Sequence, residues 1–136
     1  MRAGGRCEYC RLPQSAYKRR FHVEHITARC HGGTEDLANL ALACGRCNMR
    51  KGVNLAGIDP QAGDVVLLFH PRKDAWTEHF EMRFIRPQNA LEIWGKTPQG
   101  RATVHTLRMN GESAWLARRE LWREGVFEEE ISDESF

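Results

Sequence analysis

A chain of 136 residues, 41% hydrophobic and 28% charged, is expected to form one domain with a moderate core that needs no disulfide to fold. No apolar run approaches the roughly 18–20 residues of a membrane span, and the opening MRAGGRCEYC lacks the hydrophobic segment of a secretory signal, so a cytoplasmic protein is expected. The net charge of +2 hides an asymmetry: residues 1–52 hold ten Lys/Arg against four Asp/Glu and residues 53–136 hold ten against fourteen, a basic half suited to a polyanion such as nucleic acid.

In chain order, CEYC is a tight knuckle. RRFHVEHI alternates Phe21 and Val23 with Arg20, His22 and Glu24, the period of a short strand. ARCHGGTEDLAN is a polar loop turning at Gly32–Gly33, LALAC a short apolar strand, and GRCNMRKG a helix stopped by Gly52. Beyond it, NLAGIDPQAG is a turn-rich connector and DVVLLFHP a buried strand ended by Pro71. HFEMRFI and ALEIWGKT alternate around RPQN and predict a hairpin. Thr97 and Pro98 fit the N-cap and first position of a helix through QGRATVHTLRMN. SAWLARRELWREG predicts a second helix with Trp115, Leu116, Leu121 and Trp122 near one face and Gly125 as its stop. The four tryptophans, Trp94 included, are expected in the core. Residues 127–136 form an acidic stretch expected to fray. The expected division is a core over 1–52, an α+β extension over 53–126 packed on it, and that tail.

Cys7-x-x-Cys10 and Cys44-x-x-Cys47 are two knuckles that together supply the four soft ligands of a tetrahedral structural zinc. A thioredoxin-like pair would need one such motif at a helix N-terminus in a longer α/β pattern. A site closed by four sulfurs has no open position, so chemistry must lie elsewhere. Cys30 is left over as an incidental thiol.

Between and beside the knuckles stand Glu24, His25, Gly32-Gly33, Asn39-Leu40, Asn48 and Lys51. Glu24 and Asn48 offer oxygen donors, which suit Mg²⁺ or Mn²⁺. An imidazole can take a proton from water near neutral pH, which makes His25 the candidate general base. Lys51, three residues after Asn48, would share its helix face and reach phosphate. Glu24 and His25 are neighbours and on a regular strand point to opposite faces, so both serve one site only if the strand ends or bends at His25. His22 has a weaker claim. His31 reads as an exposed loop residue and His70, His79 and His105 as structural. The basic residues of the first half, from Arg2 to Arg50, are expected as a group to follow a phosphate backbone.

The order acidic residue–His, Gly-Gly, Asn-Leu, C-x-x-C-Asn-x-x-Lys resembles the HNH endonuclease family, strongly over residues 6–52 and, through NLAGIDP, LFHPR and GRATV, into 53–110. The resemblance implies a zinc-stapled ββα-metal core and an α+β chain. It also implies a structural role for Asn39 in orienting the loop that carries His25, and a metal-dependent endonuclease acting on DNA, expected to be double-stranded. Where the family name implies a third histidine, this chain has Asn48, whose amide oxygen is a reasonable hard ligand. A zinc-knuckle nucleic-acid-binding module that no longer cuts is the alternative, and a redox or zinc-storage protein a more distant one.

Overall fold

The computed structural model describes residues 2–127. The first knuckle is closed by hydrogen bonds from Cys7 N to Leu12 O (2.9 Å) and from Arg11 N to Cys7 O (3.0 Å), and by a bridge between Arg6 and Pro13. Strand β1 (His22–His25) then pairs antiparallel with β2 (Leu40–Ala43), Glu24 facing Ala41 and His25 facing Leu40. Helix α1 (Gly45–Lys51) follows directly. Its N-cap is Cys44, whose sulfur accepts from Cys47 N, and it stops at Gly52, where φ is +52°. This left-handed backbone favours glycine. The ββα order expected from the sequence is therefore present, held to the knuckle by Glu8, whose amide donates to Leu42 O and whose carboxylate accepts from Leu42 N.

The segment expected to be only a connector contains a strand. β3 (Ala56–Ile58) pairs with β4 (Val65–Leu67), Ile58 facing Val65. A three-residue strand with a central glycine reads as a turn, yet Gly57 is required there: a Cβ would lie 2.3 Å from Thr106 Oγ1. The turn between the strands is fixed by Asp59, which accepts a two-point contact from Arg101 at 3.0 and 2.8 Å. β4 ends before Pro71, at Leu67; Leu68 and Phe69 are buried outside it. A single-turn helix α2 (Trp76–His79), which the sequence reading did not separate, leads into the expected hairpin of β5 (Phe80–Ile85) and β6 (Ala90–Gly95).

Helix α3 (Pro98–Leu107) has the expected cap, Thr97 accepting from Gly100 N at 3.0 Å, and packs against β3, β4, β6 and α1. Helix α4 (Glu112–Arg123) buries Ala114 and Arg118, one turn apart, while Leu116 is exposed. Of the face expected, Leu121 and Trp122 pack against the core, Trp122 stacking on Phe84 at 4.6 Å, and Leu116 is corrected to an exposed position. Trp94 is also corrected, being 42% exposed with the Arg83 guanidinium 4.2 Å from its ring, a cation–π contact that stabilises an exposed indole. Alternation along β6 turns Ile93 inward and Trp94 outward.

Phe80, Met82, Leu91 and Ile93 of the hairpin, Leu107 and Met109, and Tyr9, Leu12 and Ile26 of the first half belong to one buried cluster. The acidic tail expected over 127–136 falls outside the described residues except for Phe127. That residue is fully buried beneath the Arg6 guanidinium, 5.2 Å away, because an aromatic ring at the head of an acidic run carries enough apolar area to be drawn inward. Polar links tie the halves: Trp76 Nε1 donates to Tyr9 O at 2.7 Å, Arg72 pairs with Glu8, and Arg46 donates to Ser113 and Tyr17.

Thr97→Ala leaves the Gly100 amide without its cap and is expected to lower stability by about 1 kcal/mol, read as a shift of the urea midpoint at constant slope.

Candidate active site and metal centre

The four knuckle cysteines are buried and their sulfurs all lie within 4.8 Å of one another, Cys10 and Cys44 at 3.9 Å. Four thiolates on one zinc at about 2.3 Å stand roughly 3.8 Å apart, so the cluster has the dimensions of a tetrahedral zinc site. The Cys47 amide donates to Cys44 Sγ at 3.4 Å. Mutual contacts hold the Cys44 and Cys10 thiols below their ordinary range, while burial and the neighbouring sulfurs push Cys7 and Cys47 above it; four sulfurs this close cannot all ionise without a cation among them. Cys30 is exposed and apart from the cluster.

Glu24, His25 and Asn48 line a single open depression of roughly 450 Å³, together with Val23, Ala28, Arg29, Cys30, Gly52 and Val53. The four knuckle cysteines are not part of this lining. His25 is the last residue of β1, paired with Leu40; at this strand end Glu24 is buried, His25 is half-buried, and both line the depression.

Glu24 is buried. One carboxylate oxygen accepts from the Tyr9 hydroxyl and the other stands 3.2 Å from Lys51 Nζ. Burial pushes its acidity toward a higher pKa, opposed by Tyr9 and Lys51. Burial also raises the Tyr9 phenol, assisted by the carboxylate it faces, so Tyr9 remains a donor. A carboxylate has about four acceptor sites, and two partners leave capacity for a cation. Asn48, half-buried on α1, has no protein partner for its amide among the described residues. A buried carboxylate and an unengaged amide oxygen on one wet surface fit one hydrated hard divalent ion.

Lys51 is not on that surface. Its side chain is 2% exposed, and its ammonium donates to Ile26 O at 2.8 Å and His25 O at 3.4 Å. The sequence expectation placed this ammonium on phosphate; here it is engaged by Glu24 and these carbonyls, and on α1 Lys51 and Cys47 are buried while Asn48 is half-buried. Lys51 holds Glu24 and the end of β1.

Asn39 braces the loop at both ends. Its side chain accepts from Thr27 N (2.8 Å) and donates to Thr27 O (2.9 Å) and Thr34 O (2.8 Å), while its own carbonyl accepts from Ile26 N at 2.8 Å. Gly33 packs so closely inside this loop that a Cβ would meet Thr27 O at 1.7 Å. The reversal returns Glu35 over His25, Nε2 to Oε1 at 2.8 Å. His22 is exposed and outside the depression. His31 is exposed, and His70, His79 and His105 are also outside this surface. Sequence reasoning missed Tyr9 and Glu35 and placed Arg29 only among the basic residues expected to follow phosphate.

Of the basic residues expected as a group, Arg2 donates to Leu37 O and Leu40 O, Arg29 to Glu35 and Arg46 to Tyr17 and Ser113. Lys18, Arg19 and Arg20 are exposed just before β1.

Residues 7–54 match the family model of the HNH endonuclease; no curated protein and no solved structure matches the chain. No helix among the described residues is long and apolar enough to cross a membrane.

Two outcomes follow. The purified chain is expected to carry one zinc, counted by elemental analysis, and stripping it with a strong chelator should abolish the native circular dichroism of the β1–β2–α1 unit, because zinc binding is folding free energy. Lys51→Met strands a buried carboxylate and should cost about 3–5 kcal/mol, measured by denaturant unfolding of the zinc-loaded protein.

Proposed function

We propose, from the match of residues 7–54 to the HNH endonuclease family model, that the chain is a metal-dependent endonuclease hydrolysing phosphodiester bonds in double-stranded DNA, with His25 as general base. The observation that carries the reading is the convergence of His25, Glu24 and Asn48 on one open depression whose lining contains none of the four knuckle cysteines.

In this reading Glu24 and Asn48 hold one Mg²⁺ or Mn²⁺, which supplies charge neutralisation for the phosphate and the departing oxygen. The protein groups do the rest. His25, 22% exposed at the side chain, takes a proton from a water at the rim. That water's oxygen forms a bond to phosphorus, a bridging P–O bond breaks, and the departing oxygen acquires a proton from solvent. Asn39 keeps the loop carrying His25 closed, and Lys51 keeps Glu24 charged and in place. Lys18, Arg19 and Arg20 are positioned by sequence just ahead of the strand that bears the site, where they would follow the polyanion.

The test is cleavage of supercoiled plasmid with Mg²⁺ or Mn²⁺. His25→Ala should lose at least about a hundredfold in rate while retaining zinc and DNA affinity, and EDTA at a level that spares the sulfur-bound ion should stop the wild type. Equal cleavage by wild type and variant overturns the assigned base. Tight binding with no turnover under any divalent ion instead favours the non-cleaving nucleic-acid-binding module.

A further inference from the structure

The loop that follows the site strand folds back to put a carboxylate on His25. Glu35 Oε1 stands 2.8 Å from His25 Nε2, and the same oxygen accepts from Arg29 Nε at 2.7 Å and lies 2.6 Å from its second guanidinium nitrogen. The three side chains therefore form a chain in which Arg29 fixes Glu35 and Glu35 fixes the imidazole. The backbone makes this arrangement, not chance contact of long side chains. The Gly32–Gly33 reversal and the Asn39 brace from Thr27 to Thr34 deliver residue 35 to the ring of residue 25. His25 and Arg29 line the depression itself, so the arrangement borders the reacting volume.

We propose that Glu35 is a positioning residue for His25. It accepts the Nε2–H proton and so leaves Nδ1 as the basic nitrogen. Among the described residues no protein group engages Nδ1, which is thus the nitrogen free to receive a proton from water. A ring held at one nitrogen keeps the other aimed, and orientation of a base is worth more than its mere presence. Arg29 has a second consequence here. By neutralising Glu35 it prevents a bare carboxylate from facing an incoming phosphate, and it spends its own charge on Glu35. It is accordingly assigned to the base and not to the substrate. This inference rests on the nuclease reading for its catalytic meaning, and on geometry alone for the contact.

Glu35 is 64% exposed at the side chain, so its replacement does not threaten the fold. Three proteins decide the matter: wild type, Glu35→Ala and Glu35→Asp. In ¹H–¹⁵N spectra of histidine-labelled protein, the wild type should show a hydrogen-bonded His25 Nε2 proton, assigned by its loss in His25→Ala; Glu35→Ala should lose it. In plasmid cleavage, Glu35→Ala should lower kcat by roughly ten- to a hundredfold with KM within twofold of wild type, and Glu35→Asp should recover most of both the signal and the rate. An unchanged proton signal in Glu35→Ala overturns the contact. A loss confined to KM, or an unchanged kcat, overturns the positioning role. A wild type that shows the Nε2 proton yet cuts nothing sinks the nuclease reading while the contact itself is still established by the spectra.

Discussion

The first half of this molecule depends on four sulfurs meeting at one point. Cys10 and Cys44 are 34 positions apart in sequence and 3.9 Å apart at their sulfurs, with the site strand, the loop and β2 all lying between them. β1 and β2 have four residues each, too little sheet to be stable unaided. Closing a loop of that size removes roughly 3–4 kcal/mol of unfolded-state entropy on the cross-link scale, before any metal–sulfur bonding is counted. Cys44 also caps α1 through its own sulfur. The same atom that would close the metal site therefore starts the helix that presents Asn48, and helix placement and metal geometry are one constraint.

The clamp reaches the depression through Glu24. Tyr9 lies between the two cysteines of the first knuckle and donates to this carboxylate. Lys51, at the end of the helix that the second knuckle begins, pairs with it from the other side. A buried carboxylate without partners would protonate or pull toward solvent; here it is held between two groups whose positions the sulfurs set. Lys51 adds hydrogen bonds to the carbonyls of His25 and Ile26, so it secures the end of β1, where His25 is the last paired residue. A buried lysine in place of an exposed one changes the logic of this corner: its positive charge stabilises the Glu24 carboxylate.

Much of the fold was legible because it is written in short-range chemistry. Gly52 as a helix stop, Thr97–Pro98 as a helix start and the alternation of Phe80, Met82 and Phe84 each have a local physical cause, and each element formed where its cause stands. What escaped was decided at a distance. Ala56–Ile58 becomes a strand because α3 packs on it closely enough to demand Gly57, and nothing within NLAGIDPQAG announces that helix. Leu116 looked like a core residue by type, but α4 buries Arg118 instead, whose guanidinium finds Met109 O. Phe127 was hidden by the acidic residues after it.

The site divides along the same line. Cysteine spacing, the Glu24–His25 pair and Asn48 could be picked out because residue type and spacing carry their chemistry. The side chains that hold them could not, since a glutamate in a polar loop and a tyrosine in a knuckle look alike whether they are solvated or bonded. Glu35 became significant only when a loop reversal placed it on the imidazole, and Lys51 is engaged by Glu24 and the carbonyls of His25 and Ile26, long-range partners that its helix position does not announce. Both outcomes trace to packing: α1 must turn one face to the sulfurs, and whichever residue shares that face is buried. Lys51, buried on the same helix as Cys47, has almost no solvent to reach, and among the described residues the carboxylate that its ammonium pairs with is Glu24.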